Sequence, residues 1–457
     1  MKVFHFTHWV KYFLFDFGLF MPKKKRNSIN MLNSKIRFDK VDFNGGNLSS
    51  DGGAILMMQY LENIELKKQL HGIPFNDSRY LPAYSNSAIM FQCICRTLLG
   101  YHNQADQKVL LEDPLLCQYV DACSQPTISR FFDRITDSSC AALREKLIKM
   151  SCEYVNRHVA DPLLDADSTL VTTKGEQEGA SFIHHYAEVG FHPLLICEST
   201  SKLILSPILR TGSAYSSNGI IEQLMTVMSY LTNNGNIRFR GDSAFYDTKL
   251  MKYLEENRIT YYIRAKNFSK LHSVAEADMY SKGVTPFEYT HDHPYYSEMQ
   301  YAIAGKKTRR IVYKAYWVVD QHNQQELIPV IYAVVTNDTE HDAKYVMDFY
   351  EARGASENFN KELKNDFNAG ILSHESFNAN DFEFLIKSLS YNLYHIFQME
   401  VLEKDDQKLM MNTFRIRYQK IAAKVIHHAR RVNLSFSSAY RNQNTFLRYY
   451  NKVVIQS

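Results

Sequence analysis

Four acids stand where their chemistry could matter. Asp165 and Asp167 lie two residues apart in PLLDADSTLVTT, on one face of a segment that alternates as a strand does. Asp242 closes NIRFRGD after the apolar alternation of Ile237 and Phe239. Carboxylates are rarely buried unpaired, so acids inside apolar strands are informative. Glu357 belongs to another pattern, YEARGASENFNKELKNDF at 350–367. With Tyr350 as zero on a helix, Arg353, Glu357 and Lys364 fall at about −60°, −20° and −40°. These four share one stripe, with Phe359 and Leu363 on the far side and Phe367 about 100° from Tyr350. Gly354 is odd in such a helix, costing about 1 kcal/mol relative to Ala. If the strands are neighbours and the helix packs on their sheet, Asp167, Asp242 and Glu357 meet. Gathered carboxylates suit Mg²⁺, a hard cation that takes oxygen ligands. Two such ions serve phosphoryl transfer by activating the attacking oxygen and stabilising the leaving one. Each piece alone has a plainer reading: Asp242 as a turn residue, Asp165 as a cap, the stripe as a solvated helix face.

The elements around these acids are legible in outline. Residues 35–56 read as a strand or two around FNGGNLSSDGG, whose glycines lack the GK[ST] ending of a P-loop and read as a turn. Residues 57–157 read as helical. Within them SQPTISRFFDRI has the form of a capped helix start, with Ser124 or Gln125 before Pro126 and with Thr127, Ser129 and Arg130 exposed. That helix reads either as the second helix of a helix-turn-helix or as an ordinary bundle helix. From Pro162 come three β segments, a helix, the strand NIRFRGD, the helix TKLMKYLEEN capped by Asp247, and the strand TYYIRA. This order predicts a mixed sheet with helices on its faces. Residues 266–327, rich in Tyr and His, read as a β-rich insertion. The sheet resumes with LIPVIYAVVTN, then the helix bearing Tyr350 and the long apolar helix FEFLIKSLSYNLYHIF.

Composition sets the outer bounds. The chain has 457 residues and a net charge of only +4, so it is no polycation as a whole. From Thr413 to Ser457, however, there are nine Lys or Arg and no acid, interleaved with aromatics. That tail reads as a surface for a polyanion or as a solvated helical tail. The seven cysteines form no CxxC pair, which argues for reduced thiols and against a disulfide frame or zinc site. The aromatic N-terminus is interrupted by His5, His8, Lys11 and Asp16 and has no run of about 18 apolar residues. Met21 precedes the basic run Pro22–Arg26, so residues 1–34 read as an extension with a possible second start, the basic run serving as a short nucleic-acid-binding arm or a targeting signal.

The spacing Tyr350-x2-Arg353-x3-Glu357-x6-Lys364 resembles the Y-R-E-K signature of DDE transposases of bacterial insertion sequences. LDADST around Asp167, RGDSAFYD around Asp242, QPTISRF and HHYAEVGFHPLL are similar to segments of the thirteen-eighty group of those elements. The resemblance covers residues 35–450; Ala244 departs from an expected Gly, and the first twenty residues have no counterpart. It implies a mixed α/β fold: a helical DNA-binding region (35–157), an RNase H-like core in two parts (158–265 and 328–400) split by the β-rich insertion (266–327), and a basic helical C-terminal region (401–457). It implies Asp167, Asp242 and Glu357 as catalytic metal ligands for two Mg²⁺ ions, with Mn²⁺ as substitute. Tyr350, Arg353 and Lys364 correspond to residues that position end DNA. Trp317 reads either as a stacking platform for a flipped base or as a packed core residue. The implied partners are double-stranded DNA, as terminal inverted repeats and as target, and a second copy of the chain, in the bacterial cytoplasm at the nucleoid, with no membrane. The competing expectations are a domesticated, catalytically silent DNA-binding protein and a standalone structure-specific nuclease.

Overall fold

The computed structural model of the chain describes residues 40–455 apart from 174, 233–234, 267–268, 286–287, 304–306, 319–327 and 430. The aromatic N-terminal segment and the basic run after Met21 lie outside the described residues. Residues 47–457 form one unit; of the short unit before it, residues 40–46 are described and hold no helix or strand.

The larger unit begins with strand β1 (Leu48–Ser49) and a 3-10 turn at Gly52–Ala54. The glycines of this turn make room for backbone. A Cβ on Gly53 would stand 1.7 Å from the Tyr418 carbonyl oxygen, and one on Gly52 would stand 2.4 Å from the Ala423 methyl. Helices follow: α1 (Ile55–Asn63), α2 (Leu66–Gln69), α3 (Asn86–Leu99), α4 (Gln107–Glu112), α5 (Leu116–Tyr119), α6 (Gln125–Phe132) and α7 (Asp137–His158). Ser85 caps α3 by accepting from the Ala88 N–H at 3.2 Å, and Thr136 caps α7 through Ser139 at 3.3 Å. Ser124 is the residue before α6, with Pro126 in the first turn, as its sequence predicts.

Past Pro162 the chain runs through β2 (Leu163–Ser168), β3 (Val171–Thr173), β4 (Ser181–Ile183), β5 (Glu188–Phe191), β6 (Leu194–Glu198), β7 (Ile204–Ile208), α8 (Ile220–Tyr230), β8 (Arg238–Gly241), α9 (Thr248–Glu256) and β9 (Thr260–Arg264). It continues with α10 (Ser269–Ser281), β10 (Tyr295–Ala302), β11 (Thr308–Tyr316), β12 (Val330–Thr336), α11 (Ala343–Glu351), a 3-10 turn at Ala352–Ala355 and α12 (Ser356–Asn365). The last elements are β13 (Ile371–Leu372), α13 (Phe377–Val401), α14 (Met411–Phe414), β14 (Ala423–His428), β15 (Arg431–Phe436) and α15 (Gln443–Ile455).

The central sheet has the order β10-β11-β12-β9-β8-β2-β6-β7. β2 is antiparallel to β6 and parallel to β8, which is parallel to β9. Parallel neighbours need a crossover, and α8 and α9 supply the two that are required. On one face Leu164, Ala166, Phe239, Tyr261 and Ile263 are fully buried in the main core. On the other face α11 packs Val346 and Met347 against Tyr262, Val312 and Val334. The long apolar helix is α13, buried along most of its length and packed on α3 and α7. Among the described residues no helix is long and apolar enough to cross a membrane.

Three elements differ from the sequence expectation. The stretch 350–367 is not one helix: α11 ends at Glu351 and the 3-10 turn bearing Gly354 separates it from α12. The region expected to be a β-rich insertion includes α10, whose buried Leu271, Ala275 and Met279 recur every fourth residue, and its strands β10 and β11 continue the central sheet through β12. The C-terminal region is not wholly helical, because Ala423–Phe436 folds as the hairpin β14–β15, joined to β1. Period-two alternation, with Ala423 and Val425 buried and Lys424 and Ile426 exposed, overrides its basic composition.

Candidate active site

Parallel pairing of β2 with β8 sets the two acidic strands in register. Leu164 faces Phe239, Asp165 faces Arg240 and Ala166 faces Gly241. One residue further, Asp167 and Asp242 leave the two strand ends side by side. Asp165 and Arg240 use up each other's charge. The guanidinium holds the carboxylate through Nε and Nη2, both at 2.7 Å, and the two side chains are 1% and 3% exposed. Ser199 also donates to Asp165. Asp165 is therefore a structural acid, and Asp167 is the one turned toward the open end of the sheet.

Asp167 meets the α11–α12 segment. Arg353 Nη2 donates to its carboxylate at 3.1 Å and to the Ala166 carbonyl at 2.9 Å, and Asn360 donates to its other oxygen. Burial raises the Asp167 carboxyl above its ordinary value; Asp242 adds to the rise and Arg353 opposes it. Asp242 caps the 3-10 turn Ser243–Phe245, accepting from the Ala244 N–H at 2.8 Å. The half-buried Tyr350 is raised by burial and by Asp242, against Arg353. Burial lowers Lys364, and Asp167 opposes that fall. Thus Arg353 feels both acids, Tyr350 feels Asp242 and Lys364 feels Asp167, while Phe359, Leu363 and Phe367 are buried.

Glu357 stands apart. It is exposed in the first turn of α12, one helical turn before Asn360. Among the described residues no group of three or more His, Cys, Asp or Glu is arranged to hold a metal ion. The expected meeting of Asp167, Asp242 and Glu357 is thus seen for the two aspartates only, and Arg353 and Asn360 are the groups bonded to Asp167. Asn360 falls at about −80° from Tyr350, outside the stripe, so the stripe does not single it out. Tyr186 is a second residue missed: its hydroxyl donates to the Ser168 carbonyl at 3.2 Å, and burial with the charges of Asp167 and Asp242 raises it. No spacing in the sequence ties Tyr186 to the acids. The remaining candidates lie elsewhere. Ser129 and Arg130 are exposed on α6 and Thr127 is half-buried. Trp317 is 1% exposed, so its ring is core packing and offers no free face for a base.

A mixed sheet that delivers two carboxylates to adjacent strand ends, with an Arg, a Lys and a Tyr gathered at them, is laid out for chemistry on phosphates. Over residues 32–455 the chain matches the family model for the transposase DDE domain, group 1, and it belongs to that family. Among solved structures it is similar to the cryo-EM structure of a piggyBac transposase synaptic complex with hairpin DNA, at 13% identity and a TM-score of 0.47, over 79% of this chain and 79% of that one. No curated protein matches the chain.

Proposed function

We propose that this chain is a DNA transposase that binds the terminal inverted repeats of its own insertion sequence, cuts a strand at each end and joins the freed 3′ hydroxyl to target DNA. The observation that carries the reading is the pair Asp167 and Asp242, one residue past paired positions on parallel strands, with Arg353 bound to the first, in a chain of the transposase DDE family. The strand run β7-β6-β2-β8-β9 supports reading 158–265 as the first part of an RNase H-like core; the reading of 328–400 as its second part, after 266–327, rests on the resemblance.

The residues fit a divalent cation. Mg²⁺ is commonly held by one or two carboxylates with waters and substrate phosphates completing its shell, and burial together with like charge makes Asp167 a carboxyl that gains from a shared cation. Asp167 and Asp242 would hold the two Mg²⁺ ions, or Mn²⁺ in their place, with the exposed Glu357 as the third carboxylate. Bound ions supply activation of the attacking oxygen and stabilisation of the leaving one. The chain's own groups align the strand. Arg353 offers phosphate a planar fork and Lys364 a point charge, and Tyr350 offers a hydroxyl donor. Thr127, Ser129 and Arg130 on α6 are the proposed contacts for end DNA. Pairing two ends calls for a homodimer on DNA, working in the bacterial cytoplasm at the nucleoid.

The test uses DNA from both flanks of the gene, where the repeats lie. With Mg²⁺, purified protein is expected to nick these duplexes at the repeat boundary and leave a 3′ hydroxyl. Specific binding without cleavage, in Mg²⁺ and in Mn²⁺ alike, would instead establish a silent DNA-binding protein. Gly354 gives a second, independent check. A Cβ there would meet nothing within 4 Å, so Gly354→Ala should keep or raise stability, by up to about 1 kcal/mol in urea unfolding. If the glycine is there for close approach of the DNA backbone, the same variant binds end DNA several-fold more weakly; unchanged binding removes that explanation.

A further inference from the structure

The nine basic residues between Thr413 and Ser457 divide into two groups. Five tie the tail to the body. Arg415 is buried and donates to the carbonyls of Thr97, Leu98 and Asp366 at 2.8, 3.0 and 2.7 Å. Arg417 pairs with Asp406 at 2.9 Å, Lys420 with Asp51 at 2.6 Å and Arg448 with Glu403 at 2.7 Å, and Lys452 donates to the Val401 carbonyl at 3.3 Å. Of the rest, Lys424, Arg431 and Arg441 are described; all three are exposed, and among the described residues none forms an ion pair. Two of them sit on the β14–β15 hairpin.

The register puts the free groups on one surface. Lys424 faces Ser435, Ile426 faces Asn433 and His428 faces Arg431, and all six are exposed. The alternate positions Ala423 and Val425 are buried, with Leu434 and Phe436 half-buried, which anchors the base of the ribbon. Toward the tip His427 and Val432 are also exposed, so the ribbon stands clear of the body on both faces there. We infer that this ribbon is a DNA-reading arm that enters the major groove of duplex DNA. A two-stranded β-ribbon fits the major groove. Its outer face carries the side-chain types that groove recognises: Arg and Lys for guanine, Asn for adenine, and an apolar side chain for the thymine methyl. The absence of any acid from Thr413 to Ser457 favours a polyanion over a second copy of the chain on the open edge of β15. The inference rests on the proposal that the chain binds DNA, and it adds the surface and the groove.

The experiment is fluorescence-anisotropy binding of a 40-base-pair duplex from the gene flank, in EDTA so that no strand is cut, across a series of NaCl concentrations. For Lys424→Ala with Arg431→Ala the slope of log K against log salt is expected to become shallower by about 2, with binding about tenfold or more weaker at low salt. Lys67→Ala with Lys149→Ala removes two exposed charges elsewhere and is expected to keep the wild-type slope. Asn433→Ala keeps the charge, and it should narrow the preference for flank DNA over a scrambled duplex. A ribbon variant with wild-type slope and affinity overturns the arm, as does an equal loss in the Lys67 and Lys149 variant. Wild-type protein that binds no duplex at any salt overturns the transposase reading itself, so the two failures are distinct.

Discussion

Asp242→Asn is expected to lower single-turnover strand cleavage by at least about 10³-fold, a barrier increase of about 4 kcal/mol or more, while end-DNA affinity measured without metal stays near wild type. The substitution is chosen because it separates charge from shape. In the native chain the Asp242 carboxylate accepts from the Ala244 N–H at 2.8 Å and so starts the Ser243–Phe245 turn. An Asn carbonyl accepts the same bond, so the turn persists. What disappears is an anionic oxygen donor for a hard cation. Asp167→Asn should be equally inactive, and Glu357→Gln tests whether the exposed glutamate joins the site when DNA is bound. Cleavage by folded Asp242→Asn at the wild-type rate would remove the acid pair from the mechanism.

Much of this site could be read before any fold was known, and what could not has physical causes. Acids spaced two apart within apolar alternation identify a strand face, so Asp165 and Asp167 were visible as a pair. Their division of labour was not legible from spacing, because it depends on the register that sets Arg240 opposite Asp165, a long-range property; the choice of Asp167 comes from the resemblance. Tyr350, Arg353 and Lys364 feel one or both of the acids in the structure, although the single helix on which the stripe was drawn breaks at Ala352–Ala355. Glu357, in the first turn after the break, is exposed. Asn360, outside the stripe and not ionisable, carries no sequence signal for its contact with Asp167. In the tail, nine bases suggest a polyanion surface or a solvated helix, whereas Lys424, Ile426 and His428 alternate as a strand does. Likewise the four-residue spacing of Leu271, Ala275 and Met279 marks α10, although Tyr and His around it suggested strands.

The buried pair beneath the site gives the largest expected effect on stability. Arg240→Ala should lower the free energy of unfolding by about 3–5 kcal/mol, because it strands the Asp165 carboxylate, 1% exposed, without its counter-charge. The urea midpoint is the measure. Asp165→Leu with Arg240→Met replaces both charges by apolar groups and should recover most of that loss, since isosteric replacement of a buried ion pair is often close to neutral. Recovery of cleavage should not follow. Arg240 Nη1 also donates to the Phe349 carbonyl at 2.8 Å, and its guanidinium lies 5.3 Å from the Phe349 ring centroid. That contact fixes the end of α11 immediately before Tyr350 and four residues before Arg353. Without it, the side chains that position the strand lose their footing on the sheet although the core is refilled. A double variant that regains stability but remains about tenfold or more slower in cleavage would separate the two duties of Arg240. Full recovery of both would reduce the pair to packing, and the alignment of α11 over the acids would then have to come from its other contacts, Val346 and Met347 on the sheet, Phe349 against Tyr262 and Arg238, and Glu351 with Lys314.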